Sequence, residues 1–231
     1  MSNSAVTTTW DDGLAIVHFD DGRANALSHA ALDALSAALD EAERDRAKAV
    51  VMHGRDGRFC AGFDLSVMTA GMREARVLVQ KGAQLFLRMA EFERPVVVAC
   101  GGHALAAGAV WLTSVDWRIG ADVEAKIGLN EVAIGMTLPI FAMELARERL
   151  SKRHFLAATV QARIYSPRGA VDAGFLDELV PATELLTAAK AKAAALGQLG
   201  EAAFRNTKRQ AARAMLRHCR DTLEEDLDRI G

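Results

Sequence analysis

A lone acid in apolar surroundings is the feature of this chain with the most chemical promise. Glu131 closes Ile127-Gly128-Leu129-Asn130-Glu131 and is followed by Val132, Ala133 and Ile134. A carboxylate held among such neighbours has its pKa raised by desolvation, which suits a general base that later returns the proton as an acid. Upstream, Ala104-Leu105-Ala106-Ala107-Gly108-Ala109 is a run of small residues where backbone comes close to a ligand. Val110, which ends that run, offers nothing ionisable. A second such stretch, Phe59-Cys60-Ala61-Gly62-Phe63-Asp64-Leu65, precedes a helix start. Each follows a strand and offers a free N–H, and two convergent donors form an oxyanion hole. Backbone donors with one acid can move a proton, but they lack the second group that activates water.

These residues need a scaffold, and the apolar patterning supplies one. Leu14–Phe19 reads as a short strand ended by the turn Asp20-Asp21-Gly22. Ser28 caps a helix with Ala31, Leu32, Leu35, Ala38, Leu39 and Ala42 on one face. Lys48–His53 and Pro95–Cys100 are continuous apolar runs, the kind covered on both sides in a parallel sheet, with a helix from about Met72 to Ala90 between them. Strand, helix, strand is the rhythm of a layered α/β protein. Further strands are expected at 117–120 and near Lys126–Gly128, helices at 140–150, 152–160 and 167–173, and a short extended piece at 176–180. The tail from Ala182 to Ile230 carries Ala, Leu, Lys and Arg at helical spacing and reads as an outer helical layer.

Other reactive side chains have plainer readings. His103 suits a strand-end histidine that donates to backbone, His53 a structural position, and Cys60 and Cys100 small core residues. Asp116 fits a residue that ties down turns or a subunit contact. Arg205, Lys208, Arg209, Arg213 and Arg217 lie in a helix of mixed charge and read as facing solvent, subunits or ligand phosphates. A net charge of −2 with 51% apolar residues gives no sign of a nucleic-acid partner. The three cysteines have no Cys-x-x-Cys spacing, which argues against a disulfide scaffold or a metal site and fits a reducing compartment. With no basic, apolar leader and no membrane-spanning run, a cytoplasmic protein is expected.

Ala61-Gly62-Phe63-Asp64-Leu65, Gly101-Gly102-His103-Ala104-Leu105-Ala106-Ala107-Gly108, Asp116, and Gly128-Leu129-Asn130-Glu131-Val132-Ala133-Ile134-Gly135 together resemble the enoyl-CoA hydratase/isomerase (crotonase) family in order and spacing. The resemblance implies an α/β fold, a ββα spiral with a C-terminal helical layer, divided as a core at 1–181 and a trimerisation and active-site cover region at 182–231. It implies homotrimers or dimers of trimers acting on acyl-CoA or enoyl-CoA thioesters, with no permanently bound cofactor and coenzyme A as part of the substrate. Phe63 and Ala107 would donate the two N–H groups that hold an enolate. Arg23, Ala24, Asn25 and Ala26, with Gly62, Asp64, Leu65 and Gly108, would line the coenzyme A path. Hydratases of the family use two glutamates, and here the first falls on Val110 and the second on Glu131. A single Glu resembles the Δ3,Δ2-enoyl-CoA isomerases, in which one carboxyl group moves a proton from C2 to C4. Val110, Trp111, Leu129 and Met136 would keep water out. A hydratase or other crotonase activity drawing on Glu74 or Glu91, and a catalytically weak acyl-CoA-binding homologue, are the alternatives. Ala106-Ala107 stands where the family has glycines, and a methyl group there requires backbone outside left-handed space.

Overall fold

The computed structural model describes residues 5–228. The expected tail therefore ends, in the described part, before Ile230, and the start of the 1–181 core likewise lies partly outside it. In chain order the elements are β1 (Val6–Asp11), β2 (Leu14–Phe19), β3 (Ala26–Leu27), α1 (His29–Arg44), β4 (Ala49–His53), β5 (Gly57–Cys60), β6 (Gly62–Phe63), α2 (Leu65–Met68), α3 (Met72–Glu91), β7 (Val96–Cys100), β8 (Gly102–Leu105) and α4 (Ala107–Thr113). They continue with β9 (Trp117–Ala121), β10 (Ile127–Gly128), a 3-10 turn (Val132–Ile134), α5 (Ile140–Arg149), α6 (Lys152–Ala158), α7 (Pro167–Ala173), β11 (Glu178–Val180), α8 (Leu185–Leu196) and α9 (Glu201–Leu227).

The main sheet runs β1-β2-β4-β7-β9-β11, parallel except for the β1–β2 hairpin. Every residue of β7 is buried, as the unbroken run Val96–Cys100 requires. One face packs on α1, α3, α4 and α5. The other, carrying Leu14, Ile16, Val51, Val97 and Ile119, is closed by Leu185, Ala189 and Ala193 of α8. Part of the helical tail therefore completes the sheet's second face. The six apolar residues read on one face of α1 are the six that α1 buries, and Ser28 Oγ accepts from Ala31 N–H at 3.2 Å.

Two small parallel sheets, β10-β8-β5 and β3-β6, stand beside the main one. β8 leaves β7 after one residue, Gly101, and turns into the second sheet. The small-residue stretches read above thus overlap two strands that were not expected, β5 and β8. Their backbones come so close that a Cβ on Gly102 would lie 2.0 Å from the carbonyl carbon of Gly57. The hairpin strand β1 was not expected from the sequence either. Its signal is Asp12-Gly13, with φ of +47° and +82°, the two positive values of a tight hairpin turn.

α9 lies along α3 and α5 and is pinned in its first third by Lys208, whose Nζ donates to Asp116 Oδ2 at 2.6 Å and to Met89 O at 3.2 Å. The same Asp116 oxygen accepts from Val96 N–H at 2.8 Å, so this residue ties a turn to a helix, as read. His53 stacks on His18 with ring centroids 4.4 Å apart, and burial pushes its pKa down to about 4. His103 bonds to backbone as an acceptor rather than the expected donor, with Nδ1 accepting from Lys126 N–H at 3.0 Å. Among the described residues no helix is long and apolar enough to cross a membrane.

Candidate active site

The two small-residue stretches meet. Gly62 has φ of +104°, and a Cβ there would lie 3.0 Å from Ala106 Cβ and 3.5 Å from Ala107 N. Gly108 crosses the carbonyl of Cys60 so closely that a Cβ would sit 2.3 Å from its oxygen. Both glycines serve one end: they let the start of α4 rest on the backbone around β6. Ala107 is the first residue of α4, so its N–H has no partner within the helix. On β6, Asp64 N–H donates to Leu27 O at 3.1 Å. Alternation along a parallel ladder turns the preceding N–H, that of Phe63, away from β3.

Ala107 keeps ordinary helical backbone, but Ala106 does not. Its φ of +50° and ψ of −124° fall where only glycine is free of steric conflict. The condition set above for a tolerated methyl is met at 107 and fails at 106. Such a conformation costs about 1–3 kcal/mol, part of which glycine would offset through its looser unfolded state. Ala106→Gly should therefore raise the melting temperature by about 2–4 °C in calorimetry, taking a net gain of about 1 kcal/mol in a chain of this size. An unchanged or lower value would show that the Ala106 methyl contributes more through packing on Gly62 than its backbone loses.

The segment that carries Glu131 is tied to the same place. β10 pairs with β8, and Ala106 N–H donates to Gly128 O at 3.1 Å. Three residues on, the Glu131 carbonyl accepts from the N–H groups of Ile134 and Met136 at 3.0 and 2.9 Å, which fixes the turn. The side chain itself is 9% exposed, and its Oε2 is buried with no hydrogen-bond partner. Burial pushes the pKa up to about 7. The carboxyl group borders a cavity of about 420 Å³ walled by Phe63, Met68, Ala75, Val79 and Met136, where it is the ionisable side chain among the described residues. Phe63 reaches that cavity because Gly82 of α3 has no Cβ, which would lie 2.4 Å from the ring.

Several expected roles shift in the folded chain. Val110 is buried, as an apolar stand-in for an acid should be. Trp111 packs into the core against Phe59, with ring centroids 4.9 Å apart, and Val110, Trp111 and Leu129 do not line the cavity. Met68, Val79 and Met136 line it instead. Asn25 is fully buried with φ of +56°, and its Nδ2 donates to Phe19 O at 2.7 Å and Phe59 O at 3.2 Å. It holds the β3 segment in place from within. Asp64 caps α2 through Ser66 N–H at 2.8 Å, and Leu65 is 69% exposed. Arg23 is exposed, with its carbonyl accepting from Arg55 Nη1 at 3.1 Å; Ala24 and Ala26 are half-buried. Glu91 pairs with Arg220 at the end of α3 remote from the cavity, about 30 Å along the helix from Met72. Glu74 is exposed in the first turn of α3 and does not line the cavity. Cys60 and Cys100 are buried, which pushes both thiols up to about 12 and leaves them unreactive.

The resemblance implies that the helix between Asp64 and Glu91 helps shape the acyl tunnel, but the residues with which α3 walls the cavity were not named from the sequence. Met72, Ala75 and Val79 recur at the i, i+3, i+7 spacing of one helix face, and that stripe was the available signal.

Comparison with known proteins bears on the family and the fold. The family model described as enoyl-CoA hydratase/isomerase matches residues 9–229. The crystal structure of an enoyl-CoA hydratase/isomerase family protein from Pseudomonas syringae is similar at a TM-score of 0.96 and 41% identity, covering 98% of each chain. An apo enoyl-CoA isomerase of Mycobacterium tuberculosis matches at a TM-score of 0.92 and 35% identity, covering 96% of each chain. A probable enoyl-CoA hydratase of Bacillus subtilis is 33% identical over 142 residues, 60% of this chain and 54% of the relative, so that the match spans about half of that relative's length.

Proposed function

The chain belongs to the enoyl-CoA hydratase/isomerase family, and from that premise we propose that it is a Δ3,Δ2-enoyl-CoA isomerase acting in the cytoplasm. The observation that carries this reading is Glu131, whose buried Oε2 has no hydrogen-bond partner and which is the ionisable side chain of an apolar cavity among the described residues; the resemblance puts Val110 where a hydratase would have its other acid.

In the proposed reaction the Glu131 carboxylate removes a proton from C2 of a 3-enoyl-CoA. The C2–H electron pair moves into the thioester, and its oxygen becomes an enolate that accepts from the N–H groups of Phe63 and Ala107. The enolate then re-forms the carbonyl, the double bond shifts to C2–C3, and the protonated Glu131 delivers its proton to C4. A carboxyl group whose pKa lies near 7 is matched to both halves of this transfer. Two N–H donors aimed at the developing charge supply the larger share of the acceleration, about a hundredfold to a thousandfold each. The methionine-rich wall strengthens those interactions by keeping water away. Residues 182–231 we read as the layer that covers the site and carries the contacts of a trimer or dimer of trimers.

Incubation with a 3-enoyl-CoA, followed by chromatography of the products, tests the reading. The expected product is the 2-enoyl-CoA, with crotonyl-CoA left unhydrated on the same timescale. Accumulation of 3-hydroxyacyl-CoA from crotonyl-CoA without any double-bond shift would make the protein a hydratase. Tight binding without turnover of either substrate would make it a binding protein.

A further inference from the structure

Three of the chain's eight methionines, Met68, Met72 and Met136, converge on the cavity that holds Glu131. They reach it from two segments, the corner between α2 and α3 and the turn after Glu131. We propose that these methionines form a reversible oxidation site, at which a peroxide closes the cavity to acyl-CoA and a thiol-dependent sulfoxide reductase reopens it. The proposal rests on the isomerase reading only for turnover, one of its two readouts; the other is the binding of acyl-CoA.

Selectivity follows from exposure. Met72 leaves 69% of its surface open, and Met68 and Met136 are half-buried on the cavity wall. Met52, Met89 and Met215 are packed in the core at 1%, 0% and 7%. Met143 is half-buried but does not line this cavity. A thioether is oxidised where the reagent reaches its sulfur, so the reactive positions are those beside Glu131. The cysteines do not compete, because burial holds Cys60, Cys100 and Cys219 as thiols.

In the oxidation a sulfur lone pair attacks one peroxide oxygen and the O–O bond breaks. The departing hydroxide takes the proton of the transferred OH group and leaves as water; sulfur is oxidised and the peroxide reduced. The reductase returns the thioether and releases the oxygen as water, while a pair of its thiols becomes a disulfide. A sulfoxide is a strong acceptor where the wall had none. Thr69 Oγ1 already donates to Leu65 O at 2.7 Å, which leaves Thr137 as the other hydroxyl on the wall among the described residues. The sulfoxide oxygens therefore keep water with them. That water takes the space of the acyl chain and stands beside Glu131, whose Oε2 has no partner of its own.

The test treats the full chain with hydrogen peroxide and maps added oxygen by peptide mass spectrometry. It then measures kcat/KM on a 3-enoyl-CoA and the calorimetric Kd of a saturated acyl-CoA, each relative to the same protein untreated. Oxygen should appear on Met72 first and then on Met68 and Met136, with kcat/KM lowered and Kd raised by roughly tenfold or more. Methionine sulfoxide reductases A and B with dithiothreitol should restore most of both. Met68→Leu, Met72→Leu and Met136→Leu combined should hold both quantities within about twofold of their untreated values, whereas Met143→Leu should lose as much as the parent. Should the combined variant fail to fold, as judged by circular dichroism, Met72→Leu and Met136→Leu singly should each lose less than the parent. Oxygen mapped to the three methionines with both quantities unmoved would overturn the proposal. So would an undiminished loss in the folded leucine variants, or a loss that the reductases do not reverse. Untreated protein without turnover, whose Kd still shifts reversibly on oxidation, would sink the isomerase reading alone and leave the oxidation site standing.

Discussion

Glu131→Gln should reduce conversion of 3-enoyl-CoA to 2-enoyl-CoA by about a thousandfold or more, because a carboxamide can neither take the C2 proton nor return it. Acyl-CoA binding should change little, since the substitution keeps the shape of the cavity wall. The parent enzyme should show a matching pH dependence. Only the carboxylate acts as a base, so kcat/KM should rise about tenfold per pH unit below the pKa of about 7 and level off above it. Stability runs the other way. The folded-state pKa lies above the unfolded value, so the native state binds the extra proton between about 4.5 and 7, and stability falls as pH rises through that window. The Gln variant is free of this cost and should be more stable than the parent at pH 8, by about 3 kcal/mol on the size of the shift. An inactive yet more stable variant separates lost chemistry from lost folding. Turnover within a few fold of the parent would remove Glu131 from the mechanism.

Gly108→Ala should cost both stability and catalysis, although the change adds one methyl group. The new Cβ would lie 2.3 Å from Cys60 O and 2.9 Å from Cys60 C, both backbone atoms that cannot rotate aside. Relief requires α4 to back away from the stretch leading to β6, and that separates the N–H of Ala107 from that of Phe63. We expect destabilisation of about 3 kcal/mol and a fall in kcat of about a hundredfold in whatever fraction remains folded. Gly169→Ala is the control. A Cβ there meets Tyr165 at an ordinary 3.4 Å, and replacing glycine within α7 should be neutral or slightly stabilising. Equal effects of the two substitutions on kcat would show that the approach of α4 to Cys60 has no bearing on the oxyanion site.

The parts of this protein legible in its sequence are those that local physics decides. The apolar stripe of α1 and its Ser28 cap follow from helical period and the need to satisfy the first N–H groups. The buried strands β4 and β7 follow from runs of apolar residues too short for helices. The small-residue stretches announce close backbone approach, whereas the burial that raises the Glu131 pKa does not come from Val132, Ala133 and Ile134, which are exposed. Tertiary structure decided the rest. β5 and β8 are four residues each, opened by one glycine and too short for a usable period, and they pair where Gly57 and Gly102 meet across the chain. Trp111 and Asn25 carry polar groups that suit a ligand site, yet packing turned both inward, against Phe59 and against the backbone around it. The walls that isolate Glu131 come from residues 63–79 and 131–139, segments far apart in sequence. No local pattern encodes their meeting, because the cavity exists only where the two segments fail to fill the space between them.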